Sequence, residues 1–504
     1  MRPTIRMTLL LIACAVPALA EVPSRRMSAI LNAADSPAGT RARLLACADS
    51  ASTARDEPGE GEALSLAASS FQREGQIDSA IICHRRAFEL LAASEELFAL
   101  VDQLLFRRSP DDIAEAIQHL TRAGLSPGSY PMVEVTGRLA WARSLAGQTD
   151  SAATLFALVR RHLLPQPEWR YRMARVALAR QDYRETVDLL LPVAARSRGT
   201  DQEVLGMIEE AGKALGMLPR IQNEVGRMVL EQDRSEVTLA NALGGRLVSM
   251  PASDGFPLGG LFVPPLPATS RSRPGSSSKT RPGLAAIVLM APRDTLGSAD
   301  SLAMALRRHG VTTLLLYPRG SGGSVGPGCP APDAWFNREA ALQVRVAADV
   351  RDALRGLARL TRVDTTRYLV VAEGPAATMT MLTAALDPRV KALLLASPAP
   401  SPVDRGPMRE LVARLRLPVF FQITPEEYEA TYEITDILYQ AGNRGASRVV
   451  ETSAPGHGFV QFRSDPALAA RFLNWLDAAF RPAVAPRAPG SRVPPRPTRP
   501  APHR

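Results

Sequence analysis

The sequence predicts two folded parts, an all-helical repeat region followed by an α/β domain built on a mostly parallel sheet. Three observations predict this arrangement. The chain has 504 residues, 46% of them hydrophobic and 22% charged, which is enough for two or three globular domains. Residues 60–235 repeat a helical unit. Residues 236–480 instead alternate short apolar runs with amphipathic stretches, which is typical of strands and helices in turn.

The first 20 residues have the three parts of a secretory signal. A basic start precedes a short apolar stretch, and Ala18-Leu19-Ala20 supplies the small residues that cleavage needs. We therefore expect an exported protein, periplasmic or secreted, with no transmembrane segment after cleavage. Because the residues up to Cys14 resemble a lipobox, a lipoprotein attached through Cys14 is the alternative. Residues 21–59 are expected to be a helical or irregular segment.

The formal net charge of +10 lies mostly at the two ends of the chain. Residues 481–504 carry six arginines, eight prolines and no acidic residue, so we expect a disordered, solvated tail. The remaining body is close to neutral. A nucleic-acid-binding core would carry a basic face with interleaved aromatic residues, so a nucleic-acid partner is not predicted.

The helical part repeats one pattern, in which a turn residue and a small residue open an apolar helix. The first example reads Gly75-Gln-Ile-Asp-Ser-Ala80. The equivalent small or apolar anchors follow at intervals of 36, 36, 34 and 35 residues: Ala80, Ala116, Ala152, Thr186 and Ile221. This pattern resembles the tetratricopeptide repeat, whose unit is 34 residues. The resemblance implies stacked helical hairpins over residues 60–235 that bind a protein or peptide on their concave face.

Cysteine and histidine residues show no metal-ligand spacing in this part. After cleavage three cysteines remain, Cys47, Cys83 and Cys329. The sequence allows two alternatives: a disulfide between Cys47 and Cys83, or three buried free thiols. The histidines of the helices lack a second ligand at i+4, so they are interpreted as surface or core residues. No metal and no cofactor is predicted.

The pattern of the second part predicts a first hairpin followed by alternating strands and helices. The predicted strands are Leu247–Met250, Leu258–Val263, Ala285–Met290, Thr312–Leu316, Tyr368–Ala372, Val390–Ala396, Val419–Ile423 and Ser447–Glu451. Helices are predicted near 298–309, 338–360, 376–386, 427–441 and 465–479. Such alternation predicts a mostly parallel sheet covered on both faces.

Several segments of residues 236–480 resemble the α/β-hydrolase superfamily, in particular its dienelactone-hydrolase and serine-aminopeptidase-like branch. They are Asp254-Gly255-Phe-Pro-Leu258, Leu315-Leu-Tyr-Pro-Arg319-Gly320-Ser-Gly322, Asp387-Pro388-Arg389-Val390, Pro418-Val419-Phe-Phe and Gly456-His457-Gly458-Phe459. The resemblance implies a hydrolase fold and, in the family, a nucleophile, histidine and acid acting on esters, lactones or peptides.

The family's nucleophile is missing from this chain. It sits on a tight strand-to-helix turn, G-x-S-x-G, at positive φ. The matching stretch here is Ala372-Glu373-Gly374-Pro375-Ala376, with small residues at both flanks and Gly374 in place of serine. Glycine tolerates positive φ best, so the turn can survive without the attacking atom.

The other family positions are only partly filled. The resemblance places the histidine at His457 and the acid at Glu427, and the oxyanion region at Arg293 and Pro375. The preceding Pro292 has no N–H to donate, whereas Arg293 has one. A base and an acid therefore remain without a serine, cysteine or aspartate to activate, which predicts a catalytically impaired pseudo-hydrolase serving as a protein-binding or scaffold module.

Active alternatives stay open from the sequence. Glu373 is the nucleophile if the register slips by one residue, and the Gly-rich loop offers Ser321, Ser324 and Cys329. His457 and Glu427 would also suffice to activate a water molecule slowly. Each of these predicts a working hydrolase of esters, lactones or peptides with a non-standard nucleophile.

Overall fold

The computed structural model describes residues 30, 37–126, 128–266, 283–292, 295–330, 340–398, 411, 415–425 and 446–480. The predicted signal segment 1–20 and the tail 481–504 lie outside these residues, and so do Arg293, Glu427 and the predicted helix 427–441.

Eleven helices fill the described part of the chain before residue 243. They are α1 (Pro37–Ala54), α2 (Glu57–Arg73), α3 (Ile77–Leu91), α4 (Ser94–Arg107), α5 (Pro110–Gly124), α6 (Met132–Leu145), α7 (Thr149–Leu163), α8 (Pro167–Ala179), α9 (Tyr183–Arg196), α10 (Gln202–Ala214) and α11 (Leu218–Ala242). Consecutive helices pack against each other, so the region is a row of helical pairs.

The sequence pattern explains where these helices begin and what they bury. Side chains at the helix starts cap free backbone N–H groups; for example, Asp56 accepts from Gly59 and Ser109 accepts from Asp112, each at 3.1 Å. The repeated anchor positions are all buried, with Ala80, Ala116, Ala152 and Thr186 at 0% exposure and Ile221 at 4%. Small side chains at these positions allow neighbouring helices to approach closely, and the predicted helical repeats are confirmed.

The second part holds one eight-stranded sheet. Its strands are β1 (Arg246–Pro251), β2 (Pro257–Val263), β3 (Gly283–Leu289), β4 (Thr312–Leu316), β5 (Val363–Glu373), β6 (Val390–Ala396), β7 (Val419–Ile423) and β8 (Arg448–Glu451). The order across the sheet is β1-β2-β4-β3-β5-β6-β7-β8. The first hairpin pairs antiparallel and β2 pairs antiparallel with β4, whereas all later neighbours pair parallel.

Helices cover both faces of this sheet, as the parallel connections require. They are α12 (Asp300–Arg308), α13 (Ala340–Leu360), α14 (Ala376–Leu386), α15 (Gln461–Ser464) and α16 (Pro466–Ala479). The strand order, with an antiparallel second strand and a parallel remainder, is that of the α/β-hydrolase fold predicted from the sequence. Strand β5 begins earlier than predicted, because the buried Val363 already pairs with Gly283 of β3.

The helical region packs onto the sheet domain at both of its ends. At one end, Leu44 and Leu66 from α1 and α2 join the hydrophobic core on the α13 face of the sheet. At the other end, Ala240 of α11 and Leu243 join the core of the opposite face. The middle helices have a hydrophobic core of their own. The two parts are therefore held together through buried apolar surface.

The described cysteines are free. Cys47 and Cys83 are buried and Cys329 is partly buried, so the structure contains the buried thiols and not the Cys47–Cys83 disulfide. Among the described residues, we find no helix with the length and apolar character needed to cross a bilayer.

Candidate functional site

Gly374 forms the apex of a tight turn between β5 and α14. Its φ is +51°, in the left-handed region that glycine adopts most readily. The turn is fixed because the Gly374 N–H donates to the carbonyl of Ala396 at 3.0 Å, and the Ala377 N–H donates to the carbonyl of Gly374 at 3.1 Å. A Cβ built at Gly374 has no other atom within 4 Å. The turn therefore keeps the shape and the free space of a nucleophile elbow without a side chain.

Pro375, the residue after the apex, lacks a backbone N–H that the fold uses in catalysis. In this fold, the backbone N–H that follows the nucleophile is one of the two donors to the oxyanion. Here that residue is Pro375, which caps α14 and has no N–H. The two residues that would supply the attacking atom and a main oxyanion donor are thus a glycine and a proline. The remaining oxyanion position, Arg293, lies outside the described residues.

His457 lies on an exposed turn after β8, where the sequence places it. The glycines on either side have positive φ, +97° at Gly456 and +60° at Gly458, which explains the Gly-His-Gly pattern. Within the described residues, no hydrogen bond to the imidazole is found. The predicted acid, Glu427, lies outside them, so the structure does not test this pair.

Glu373 ties the histidine turn to the elbow. The side chain is 6% exposed, and its Oε2 accepts a hydrogen bond from the Phe459 N–H at 2.7 Å. Its Oε1 accepts a hydrogen bond from the Ser298 hydroxyl at 3.1 Å. A Cβ at Gly458 would collide with Oε2, so a larger residue there would displace this hydrogen-bonded carboxylate. Glu373 is therefore a positioning residue between the apex and the histidine.

This geometry does not favour the alternative in which Glu373 is the nucleophile. The positive φ and the open space belong to Gly374, whereas Glu373 is the last residue of β5. Because both carboxylate oxygens of Glu373 already accept hydrogen bonds and the side chain is buried, it is not exposed for attack on a substrate.

Two further groups hold the histidine turn from the neighbouring strands. The Ser397 hydroxyl accepts the Gly458 N–H at 2.9 Å, and Ser397 itself has a φ of +43°, which is rare for a residue with a side chain. The buried side chains of Gln422 at the end of β7 and Gln461 at the start of α15 are hydrogen-bonded to each other. Strained and buried polar residues of this kind are typical of active-site frameworks.

The serines and the cysteine of the Gly-rich loop have structural partners. The Ser324 hydroxyl, fully buried, donates to the Tyr317 carbonyl at 2.7 Å and accepts from the Gly259 N–H at 2.8 Å. The Ser321 hydroxyl is 2% exposed and donates to the Pro292 carbonyl at 2.7 Å. Cys329 accepts the Gly326 N–H at 3.1 Å through its sulfur. These bonds fix the loop, and none of them joins a base to a nucleophile.

The loop after β4 is anchored by Arg319. This buried guanidinium contacts Asp349 through Nε at 2.6 Å and Asp254 through Nη1 at 2.9 Å, and it lies over the ring of Phe256. Its hydrogen bond, together with its charge, holds the pKa of Asp254 well below the usual value. The arginine therefore joins the first hairpin, the loop and α13 into one support for the site. Among the described residues, no cluster of potential metal ligands is found.

Solved structures give partial likenesses to the second part of the chain. A Klebsiella pneumoniae protein described as a dienelactone hydrolase is 18% identical over 47% of this chain and 97% of its own, with a TM-score of 0.35. A Pyrococcus furiosus esterase is 13% identical over 47% of this chain and 92% of its own, with a TM-score of 0.36. A Pyrococcus horikoshii acylaminoacyl peptidase is 12% identical over 46% of this chain and 41% of its own, with a TM-score of 0.35.

No protein-family model and no curated protein matches the chain. The fold is assigned from the chain itself. Strand order, strand direction and the elbow at Gly374 together define an α/β-hydrolase fold in the second part. Fold alone does not define an activity, which depends on the side chains of the site.

Sequence reasoning missed the groups that hold the site together. Glu373 and Ser397 adjoin recognisable motifs, but their partners Phe459 and Gly458 are distant in sequence. An acidic residue just before the apex, in a buried strand, was the one signal available, since buried carboxylates require hydrogen-bond partners.

Proposed function

We propose that this protein is an exported, catalytically impaired pseudo-hydrolase, which serves as a binding or scaffold module. The observation that carries the proposal is the pair Gly374 and Pro375. The first leaves an elbow without an attacking atom, and the second leaves it without the adjacent N–H. Loss of a nucleophile removes orders of magnitude in rate, and loss of an oxyanion donor removes about 10²–10³ more.

The retained framework supports a role other than chemistry. Glu373, Ser397 and Arg319 still hold the elbow, the histidine turn and the Gly-rich loop in place. A binding surface at the carboxyl ends of the strands depends on that framework and does not depend on a nucleophile. The helical repeats add a second surface of a kind that binds proteins or peptides.

Turnover of short p-nitrophenyl esters by the full chain tests the catalytic part of the proposal. We expect no hydrolysis above the buffer rate by the wild type and no change in His457→Ala. Hydrolysis by the wild type that disappears in His457→Ala would establish the active alternative, in which His457 and Glu427 serve a non-standard nucleophile or a water molecule.

A quantitative capture experiment tests the binding part. A groove of about 300 Å³ between α7, α8 and α9 is lined by Phe156, Met173 and Ala157. We expect the full chain to retain a specific envelope protein that Ala157→Trp loses. Leu158→Trp is the matched control, because Leu158 is exposed beside Ala157 but does not line the groove. Equal recovery from both variants would contradict partner binding by this groove.

A further inference from the structure

A cavity of about 650 Å³ lies where the helical region meets the sheet domain. We call it the interdomain cavity. Helices α9 and α11 form one wall, and the segments after β3 and β4 form the other. Its lining residues include Met228, Ser235, Thr238, Leu239, Leu296 and Tyr317. Its volume is in the range of small-molecule sites, about 300–1,000 Å³.

The interdomain cavity is distinct from the elbow, because Gly374 and His457 are not among its lining residues. The two sites are nevertheless linked. Gly297 lines the cavity, and the next residue, Ser298, donates its hydroxyl hydrogen to Glu373. A ligand in the cavity would therefore contact the segment that supports the elbow from one side.

The carboxylates in the cavity wall are matched by positive charges. Glu231 pairs with Arg227 at 2.6 Å and Glu236 pairs with Arg198 at 3.0 Å. Asp300 pairs with the lining residue Arg463 at 2.8 Å. The other lining arginine, Arg196, is also engaged in an interaction of its own. Because each of these charged side chains already has a partner, a charged ligand would have to displace that partner or lose its hydration without compensation.

Apolar and neutral hydrogen-bonding groups complete the wall. Met228, Leu239 and Leu296 supply apolar surface. The Tyr317 hydroxyl donates to Glu236 at 2.8 Å, and burial raises the pKa of Tyr317, so its neutral oxygen can still accept a hydrogen bond. Within the described residues, no hydrogen bond of the exposed Ser235 hydroxyl is found, so this group can donate to a ligand or accept from it.

We propose that the interdomain cavity binds an uncharged, mainly apolar small molecule that carries a hydroxyl or carbonyl group. The apolar part contacts the side chains of α11 and of the segment after β3, and the polar group bonds to Tyr317 or Ser235. This proposal concerns a separate site, and it stands whether or not the elbow is catalytic.

Three amphiphiles, each with a ten-carbon chain, test the proposal. Their binding to the full chain is measured by the displacement of the neutral dye Nile red. Decan-1-ol is uncharged, decanoate is anionic and decyltrimethylammonium is cationic. We expect decan-1-ol to displace the dye at a concentration at least about tenfold lower than either ion. Equal or tighter binding of an ion, or no binding of Nile red, would overturn the proposal.

Two tryptophan variants on the same turn of α11 locate the site. Thr238 is exposed and lines the cavity, whereas Val237 is 49% exposed and does not line it. We expect Thr238→Trp to weaken decan-1-ol binding at least about tenfold and Val237→Trp to leave it within about twofold. Similar affinities of the two variants would overturn the assignment to this cavity. Circular dichroism and a thermal melt show that both variants are folded.

Discussion

The Glu373 carboxylate accepts the backbone N–H of Phe459 at 2.7 Å, and this bond joins the strand before the apex to the turn that carries His457. The two residues are 86 positions apart in the sequence. Because the carboxylate is buried, the bond has little competition from water. The elbow and the histidine turn are thereby held as one unit, although the apex residue Gly374 has no side chain.

Replacing Glu373 tests this connection. Glu373→Ala leaves the Phe459 N–H buried without an acceptor, which costs about 1–3 kcal/mol of unfolding free energy. Glu373→Gln retains an amide oxygen that can accept the same bond, so we expect a smaller loss. Urea unfolding of the full chain measures both values, and equal losses from alanine and glutamine would contradict the role of the acceptor.

The open space at the apex gives a matched pair of glycine substitutions. Gly374 and Gly458 have similar φ values, +51° and +60°, but only Gly458 would place a Cβ against Glu373. We expect Gly374→Ala to cost only the left-handed strain, about 1–2 kcal/mol. Gly458→Ala should cost more, because it also displaces the hydrogen-bonded carboxylate. Urea unfolding of the full chain measures both losses of unfolding free energy. A larger loss in Gly374→Ala than in Gly458→Ala would contradict an elbow with room for a side chain.

A buried polar cluster predicts a large effect in the helical repeats. Glu96 is 3% exposed and is hydrogen-bonded to His84 Nδ1 at 3.0 Å and to the Ser65 hydroxyl. Removing Glu96 leaves the buried His84 ring nitrogen and Ser65 hydroxyl without this partner, at about 1–3 kcal/mol for each group, so Glu96→Leu should lower the melting temperature strongly. Glu89→Leu is the control, since Glu89 is exposed on the neighbouring helix α3. Equal melting temperatures for the two variants would contradict the importance of the cluster.

The repeats also have an acid-sensitive ion pair. Hydrogen bonds from Arg107, one of them at 2.7 Å, lower the pKa of Asp112 below its usual value of 3.8. The folded state therefore binds this proton less tightly than the unfolded state, and the stability that the pair adds is present above pH 3.8 and is lost as the pH falls through the lowered pKa.

We expect Asp112→Asn to lower the free energy of unfolding near neutral pH and to flatten its decline below pH 4. Urea unfolding as a function of pH measures this slope. Asp111→Asn is the control, because Asp111 is the exposed neighbour on the same helix. A slope below pH 4 that is the same in Asp112→Asn as in the wild type would contradict the assignment.

The fold follows from local patterns, which explains why the sequence predicted it. Each anchor from Ala80 to Ile221 opens an apolar stretch, which indicates a helix and its buried side. The runs that form β4, β6 and β7 are short, continuous and mostly apolar, which is typical of buried parallel strands. The elbow was found for the same reason, because Ala372, Gly374 and Ala376 are adjacent. Each of these signals is contained within one short segment.

The missed features depend on residues that are far apart in sequence. The interdomain cavity requires α11 to lie beside Tyr317, and the buried cluster requires Ser65, His84 and Glu96 to meet across three helices. His84 has neither a second histidine nor a carboxylate at i+4, so the sequence predicts a surface or core residue there without indicating its partners. Pairings of this kind are decided by packing between elements, which one sequence does not encode locally.

The central claim is that the elbow at residue 374 lacks both its attacking atom and the adjacent N–H. Labelling with a fluorophosphonate, followed by intact-protein mass, tests it in three proteins: the wild type, Gly374→Ser and Gly374→Ser combined with Pro375→Gly. We predict no adduct on the wild type, slow labelling of the single variant and labelling at least about tenfold faster in the double variant. An adduct on the wild type at a residue of this site, or equal rates in the two variants, would contradict the account.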